Sequence, residues 1–187
     1  MDSLDDILLE TMDKMEKSIH VLQDQFAGLR TGKASPHLVE NVPVPYYGAM
    51  TRLRELANIA VPEPRLLVIN PYDKSIREAI VKAILQANLG LTPMDDGRVI
   101  RVPVPELSEE RRKEMIKVMK RMAEEARVAV RNVRRDMNEA VRKLQKEGVC
   151  TEDERDKALA DIQKQTDQAI EKIDQMVAAK EAELLQV

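Results

Sequence analysis

The stretch from Ser108 to Lys146, SEERRKEMIKVMKRMAEEARVAVRNVRRDMNEAVRKLQK, constrains the fold most. It holds no Pro or Gly and is rich in Glu, Lys, Arg, Met and Ala, so propensity and length predict one long helix. Ser108 fits an N-cap, Glu109 and Glu110 place negative charge in the first turn where the helix dipole favours it, and Gly148 supplies a stop. At about 100° per residue, Met115, Val118, Met119, Met122, Ala126, Ala129, Val130, Val133, Met137, Ala140, Val141 and Leu144 gather on one side as the expected buried face. Ile116 and Val128 break that pattern. Lys113, Lys117, Lys120, Arg127, Arg131, Arg134, Arg135 and Arg142 are expected on the opposite side, with Glu124 the only acid among them and Asn138 alongside. Solvated helix faces usually mix signs so that i,i+4 pairs form. Between Arg127 and Arg135 this face is Arg without an acid, so a negative partner is expected there.

The other two long helices follow from similar signals. From Leu4 to Leu29, the residues Leu8, Met12, Met15, Ile19, Leu22, Phe26 and Leu29 alternate spacings of four and three, a heptad seam. Ser3 and Asp6 resemble a capping box at its start, and Gly32 and Pro36 place its end near Arg30. Thr151 and Glu154 form a capping box opening the third helix, whose inward stripe reads Leu159, Ile162, Thr166, Ala169, Ile173, Met176 and Leu184. Three amphipathic helices of this length satisfy one another as a three-helix bundle.

Between Gly32 and Pro105 the texture changes to Pro, Val, Ile and Tyr. Runs at Leu38 to Tyr47, Ala57 to Val61, Arg65 to Asn70 and Val99 to Val104 read as strands, those containing Pro43, Pro45 and Pro103 as edges. Ile76 to Asn88 reads as a helix with a Ser75 to Glu78 capping box, an apolar face of Ile80, Ala83, Ile84 and Ala87, and Gly90 beyond its end. The chain is therefore expected to be α+β with two domains: a bundle from residues 1–30 and 106–187, and a small β/α/β domain at 31–105 inserted between helices one and two. The two connections, around Arg30, Thr31, Gly32 and Lys33 and around Pro103 and Pro105, are the expected hinge.

Composition narrows the function. With 30 basic against 33 acidic residues in 187, the net charge is only −3, so affinity for an anion must come from segregated charge on the long helix. One cysteine, Cys150, excludes a disulfide framework and fits a reducing cytosol. The acidic start MDSLDDILLE has no signal-peptide profile, and no run approaches membrane-spanning length. The segment GLRTGKAS carries Gly28, Gly32 and Lys33, but its spacing is one residue short and Ala34 follows the Lys, so a phosphate-binding loop is rejected. His20 and His37 lie far apart with no ligand cluster, and Asp5-Asp6, Asp95-Asp96 and Glu124-Glu125 read as capping, turn and solvation residues. Neither a catalytic site, a metal site nor a cofactor is expected.

The basic stripe is compatible with simple solvation. Arg in preference to Lys favours a polyanion, because its fork binds phosphate at two points. With one Phe, three Tyr and no Trp, base stacking is a poor fit and structured RNA, read by backbone and shape, a better one.

The chain resembles the bacterial ribosome recycling factor family over nearly its whole length. The resemblance is carried by LRTGKASP (Leu29 to Pro36), YYG (Tyr46 to Gly48), LRELANIAVPEPRLLVINPYDKS, GLTP (Gly90 to Pro93), IRVPVPELSEERRKE (Ile100 to Glu114) and above all ARVAVRNVRRDMN (Ala126 to Asn138). It implies an L-shaped molecule, a three-helix rod with a hinged β/α/β insert, that binds the large ribosomal subunit after termination. With elongation factor G and GTP it would split the ribosome into subunits. It also implies ribosomal RNA contacts at Arg131, Arg134 and Arg135, with Arg134 foremost, and a monomer in the cytoplasm that performs no catalysis of its own. The rival expectation is a coiled-coil adaptor binding protein helices through the seam of the first helix.

Overall fold

A computed structural model describes residues 2–186. These group into two compact units, one made of the residues through Ala27 together with those from Ile116 onward, the other of Gly28–Met115.

The first unit contains helix α1 (Leu4–Ala27), the greater part of α4 (Glu109–Lys146) and α5 (Glu152–Leu185). Their buried faces are Ile7, Thr11, Met15, Ile19, Leu22 and Phe26 of α1, Met119, Ala123, Ala126, Val130, Met137, Val141 and Leu144 of α4, and Ala158, Ile162, Thr166, Ala169, Ile173 and Leu184 of α5. α4 runs antiparallel to α5, since Lys120, Arg127 and Arg134 meet Glu181, Asp174 and Gln163 in turn. Burial differs from the sequence pattern at the start of α1, where Ile7 and Thr11 replace Leu8 and Met12 as the buried pair. There Ile7 joins a cluster with Met137, Val141 and Leu144 of α4 and Ala158 and Ile162 of α5, while Leu8 packs at its margin. Thr11 tolerates burial because its hydroxyl donates to the Ile7 carbonyl at 2.7 Å, as Thr166 does to Ile162 at 2.8 Å.

The caps divide in the same way. Thr151 and Glu154 form the expected reciprocal box, and Gly148, at φ 74°, ends α4 in a turn where Val149 N–H donates to Leu144 O and Gly148 N–H to Gln145 O. α1 ends at Ala27, ahead of the expected Arg30. Burial of Met15, Ile19, Leu22 and Phe26 inside the bundle removes the seam that an adaptor would need to offer to foreign helices.

The second unit carries a hairpin, β1 (Pro43–Tyr46) and β2 (Ala49–Arg52), a short helix α2 (Leu53–Leu56), strands β3 (Ala57–Glu63) and β4 (Leu66–Pro71), helix α3 (Arg77–Gln86), and strands β5 (Met94–Asp95) and β6 (Ile100–Pro103). Its larger sheet is antiparallel in the order β3-β4-β6-β5. Ile80, Ala83 and Ile84 of α3 share its core with Leu67, Ile69, Ile100 and Val102. The hairpin turns on Tyr47 and Gly48, both at positive φ (46° and 79°), the geometry that matches strand twist in a two-residue loop.

Two expectations change here. β6 is an interior strand; Pro103 is tolerated because β5 reaches only Arg101 and Ile100, leaving Pro103 opposite Leu66 of β4 alone. α3 has no side-chain cap at its own N-cap, Ile76; Asp73 caps the 3-10 turn Lys74–Ile76 that leads into it, accepting from both the N–H (2.9 Å) and the hydroxyl (2.6 Å) of Ser75, so the Ser75 side chain is engaged on Asp73 instead of capping Glu78.

Candidate nucleic-acid interface

The basic stripe of α4 lies beside the buried face and not opposite it: Arg127 and Arg134 are half-buried and bonded to α5, which decides what each cation can still do. Arg127 donates from Nε (3.1 Å) and Nη2 (2.7 Å) to Asp174 Oδ1, and from Nη1 (3.2 Å) to Glu124. Each of its three nitrogens thus donates to a carboxylate, and the hydrogen bond to Asp174 raises its pKa. Arg131 reaches two turns back, Nη1 to Glu124 Oε1 at 3.2 Å, so one carboxylate bridges two arginines. The run without acids in α4 is therefore neutralised at Arg127 and Arg131 from Asp174 across the bundle and from Glu124.

Arg134 and Arg135 differ. Arg134 Nη1 donates to Gln163 Oε1 at 3.2 Å, and Arg135 Nη2 to Asn132 Oδ1 at 2.8 Å. Both are held by neutral amides, with no carboxylate in salt-bridge contact among the described residues. Arg134 is half-buried, and its Nε and Nη2, the pair of parallel donors that fits two oxygens of a phosphate, form no hydrogen bond among the described residues.

The lysines contribute less geometry. Lys120 lies 3.6 Å from Glu181, while Lys117 is exposed with no ion-pair partner among the described residues. Lys113 pairs with Glu109 at 3.1 Å and belongs to the second unit. Asn138, beside the stripe, buries Oδ1 without a hydrogen-bond partner among the described residues. Sequence reasoning missed Gln163, Asp167, Asp174 and Glu181. Their spacings of four, seven and seven put them on one face of α5, but which face meets the stripe depends on the antiparallel register.

Arg127 accordingly serves the bundle. Arg127→Ala is expected to lower unfolding free energy by roughly 1 kcal/mol and to leave RNA affinity nearly unchanged; paired urea titrations and binding curves on one preparation check this.

Arg30 is half-buried, with Nη1 only 3.0 Å from where a Cβ on Gly90 would lie. Thr31 Oγ1 accepts from Lys33 N–H at 3.4 Å, and Gly32 sits at φ 81°, a conformation costly to other residues. Pro103 is inside β6, and Pro105 follows it in an exposed segment. The carboxylates set aside above also have local roles: Asp96 accepts from the amides of Val99 and Arg98, which hold its carboxyl below the usual range. Cys150 packs against the Ile7–Ile162 cluster.

Residues 22–185 match the family model for ribosome recycling factor. The ribosome-recycling factor of Bacillus subtilis (strain 168) is 52% identical over 182 residues, covering 97% of this chain and 98% of the relative. The chain belongs to the ribosome recycling factor family. The relative from Heliobacterium modesticaldum is 50% identical over 184 residues, 98% of this chain and 100% of its own length. A solution structure of the ribosome recycling factor has a TM-score of 0.78 at 41% identity, covering 98% of each chain. The T. thermophilus factor, described with the E. coli elongation factor G bound to the E. coli post-termination complex, gives 0.69 at 43% identity, covering 98% of this chain and 100% of its own. Among the described residues no helix is long and apolar enough to cross a membrane, and no three His, Cys, Asp or Glu side chains gather where a metal ion could sit.

Proposed function

We propose that this chain recycles ribosomes in the cytoplasm: it binds post-termination ribosomes through the large subunit and, with elongation factor G and its GTP hydrolysis, separates the subunits and frees the mRNA. The observation that carries this is the near full-length likeness to a recycling factor described together with elongation factor G on a post-termination complex. The chain itself is a monomeric binder and lever, with the free energy supplied by the partner's GTP. Ribosomal RNA is met by Arg134 and Arg135 first, with Arg131 sharing its charge with Glu124; Lys113, Lys117 and Lys120 add attraction that salt screens.

The hinge in this reading lies at Arg30, Thr31, Gly32, Lys33 and Pro105. Backbone bonds support that placement: Ala34 N–H donates to Pro64 O (2.7 Å) and Val104 N–H to Arg65 O (2.8 Å), so both connections are fastened to one turn of the sheet. Movement is left to residues outside those two bonds, with Pro103 held in β6 opposite Leu66 of β4.

The test is light scattering of post-termination ribosomes mixed with this protein, elongation factor G and GTP. The expected result is a fall in scattering that needs all three components. Scattering unchanged with all three present, in a reaction that a known recycling factor completes, contradicts the proposal.

A further inference from the structure

The contact on Arg134 continues one step further. Gln163 Nε2 donates to Asp167 Oδ1 at 2.9 Å while its Oε1 accepts from Arg134. A guanidinium can only donate and a carboxylate can only accept, so the two ends together fix which way the Gln163 amide points. Turned over, it would set its NH2 against the guanidinium and its oxygen against the carboxylate. Neither Gln163 nor Asp167 is buried, and both stand outside the hydrophobic clusters.

The geometry points to Gln163 and Asp167 of α5 as positioning residues for the RNA contact of Arg134. Asp167 orients Gln163; Gln163 holds Nη1; the Nε and Nη2 edge is thereby aimed outward as a ready two-point donor. Arg127 shows the alternative on the same helix, where a carboxylate placed directly against the Nε and Nη2 edge consumes it. At Arg134 an amide instead holds Nη1 without neutralising the side chain, and a carboxylate one helical turn further along α5 orients that amide without a hydrogen bond to the arginine. This inference rests on the reading of Arg134 as an RNA contact.

Simple electrostatics and positioning predict opposite signs, and that decides the test. Removing a carboxylate near an RNA-binding face should tighten binding if charge alone matters. Positioning predicts that Asp167→Ala weakens affinity for isolated large ribosomal subunits roughly two- to tenfold, the range for losing one pre-ordered side chain. Asp167→Asn, which keeps an acceptor for Gln163 while losing the charge, should retain affinity. Gln163→Ala should weaken binding like Asp167→Ala, and neither should change affinity in an Arg134→Ala background, with melting temperatures recorded throughout. If Arg134→Ala weakens binding but Asp167→Ala leaves it equal or tighter, or if Asp167→Ala and Asp167→Asn behave alike, the positioning role is wrong and the RNA contact stands. If Arg134→Ala itself has no effect, both readings fall.

Discussion

Replacing Arg134 by Ala is expected to weaken binding to large ribosomal subunits by about 1.5–3 kcal/mol, roughly tenfold to a hundredfold. The magnitude follows from losing a charge-assisted, two-point phosphate contact whose donor carries no carboxylate in the free protein. Unfolding free energy should change by less than about 0.5 kcal/mol, because the side chain makes one exposed hydrogen bond to Gln163. Arg134→Lys keeps the charge but loses the planar fork, and so should recover only part of the affinity. Equilibrium binding of the three proteins to subunits, with melting curves alongside, checks the ordering. Equal affinity for wild type and Arg134→Ala would return this arginine to simple solvation.

The largest stability effect is expected at Ile162. It is fully buried among Ile7, Met137, Val141, Leu144 and Ala158, drawn from all three helices, so no single helix can shift to close a hole there. Ile162→Ala should cost about 2–5 kcal/mol through lost transfer energy and the remaining cavity. Below its lowered melting temperature the variant should bind subunits normally, since Ile162 is buried in the core whereas the Arg134 to Gln163 contact lies on the surface. Urea denaturation measures the first effect; a loss under about 1 kcal/mol would mean that this layer is not the shared core of the bundle.

What the sequence made legible was mostly local. Gly148, and Thr151 with Glu154, act where they were read because capping depends on residues within one turn. The stripes of α4 and α5 were legible because 3.6-residue periodicity needs no partner to be seen. Where partners decide, sequence was silent. Ile7 and Thr11 are buried ahead of Leu8 and Met12 because the start of α1 faces two helices at once, and Ser75 is engaged by a closer carboxylate at Asp73. β2 was missed because AMTR, in a two-stranded hairpin, has little burial to alternate, and β5 because two residues carry no period.

The candidate site divides along the same line. The basic face could be read from α4 alone, whereas its division into a neutralised Arg127 and an open Arg134 is written in α5. Asp174 and Gln163 stand 47 and 29 residues from the arginines they contact. No pattern within the motif ARVAVRNVRRDMN separates the two arginines.

The central claim is that Arg134 and Arg135, unlike Arg127, hold charge in reserve for ribosomal RNA. The direct measurement is the slope of log affinity against log salt concentration for large subunits, taken for wild type, Arg127→Ala and the double variant Arg134→Ala, Arg135→Ala. Each phosphate contact contributes about one unit of slope. The double variant should therefore lose about two units, and Arg127→Ala should keep the wild-type slope. The same slope in the double variant as in wild type, or an equal fall in Arg127→Ala, would contradict it.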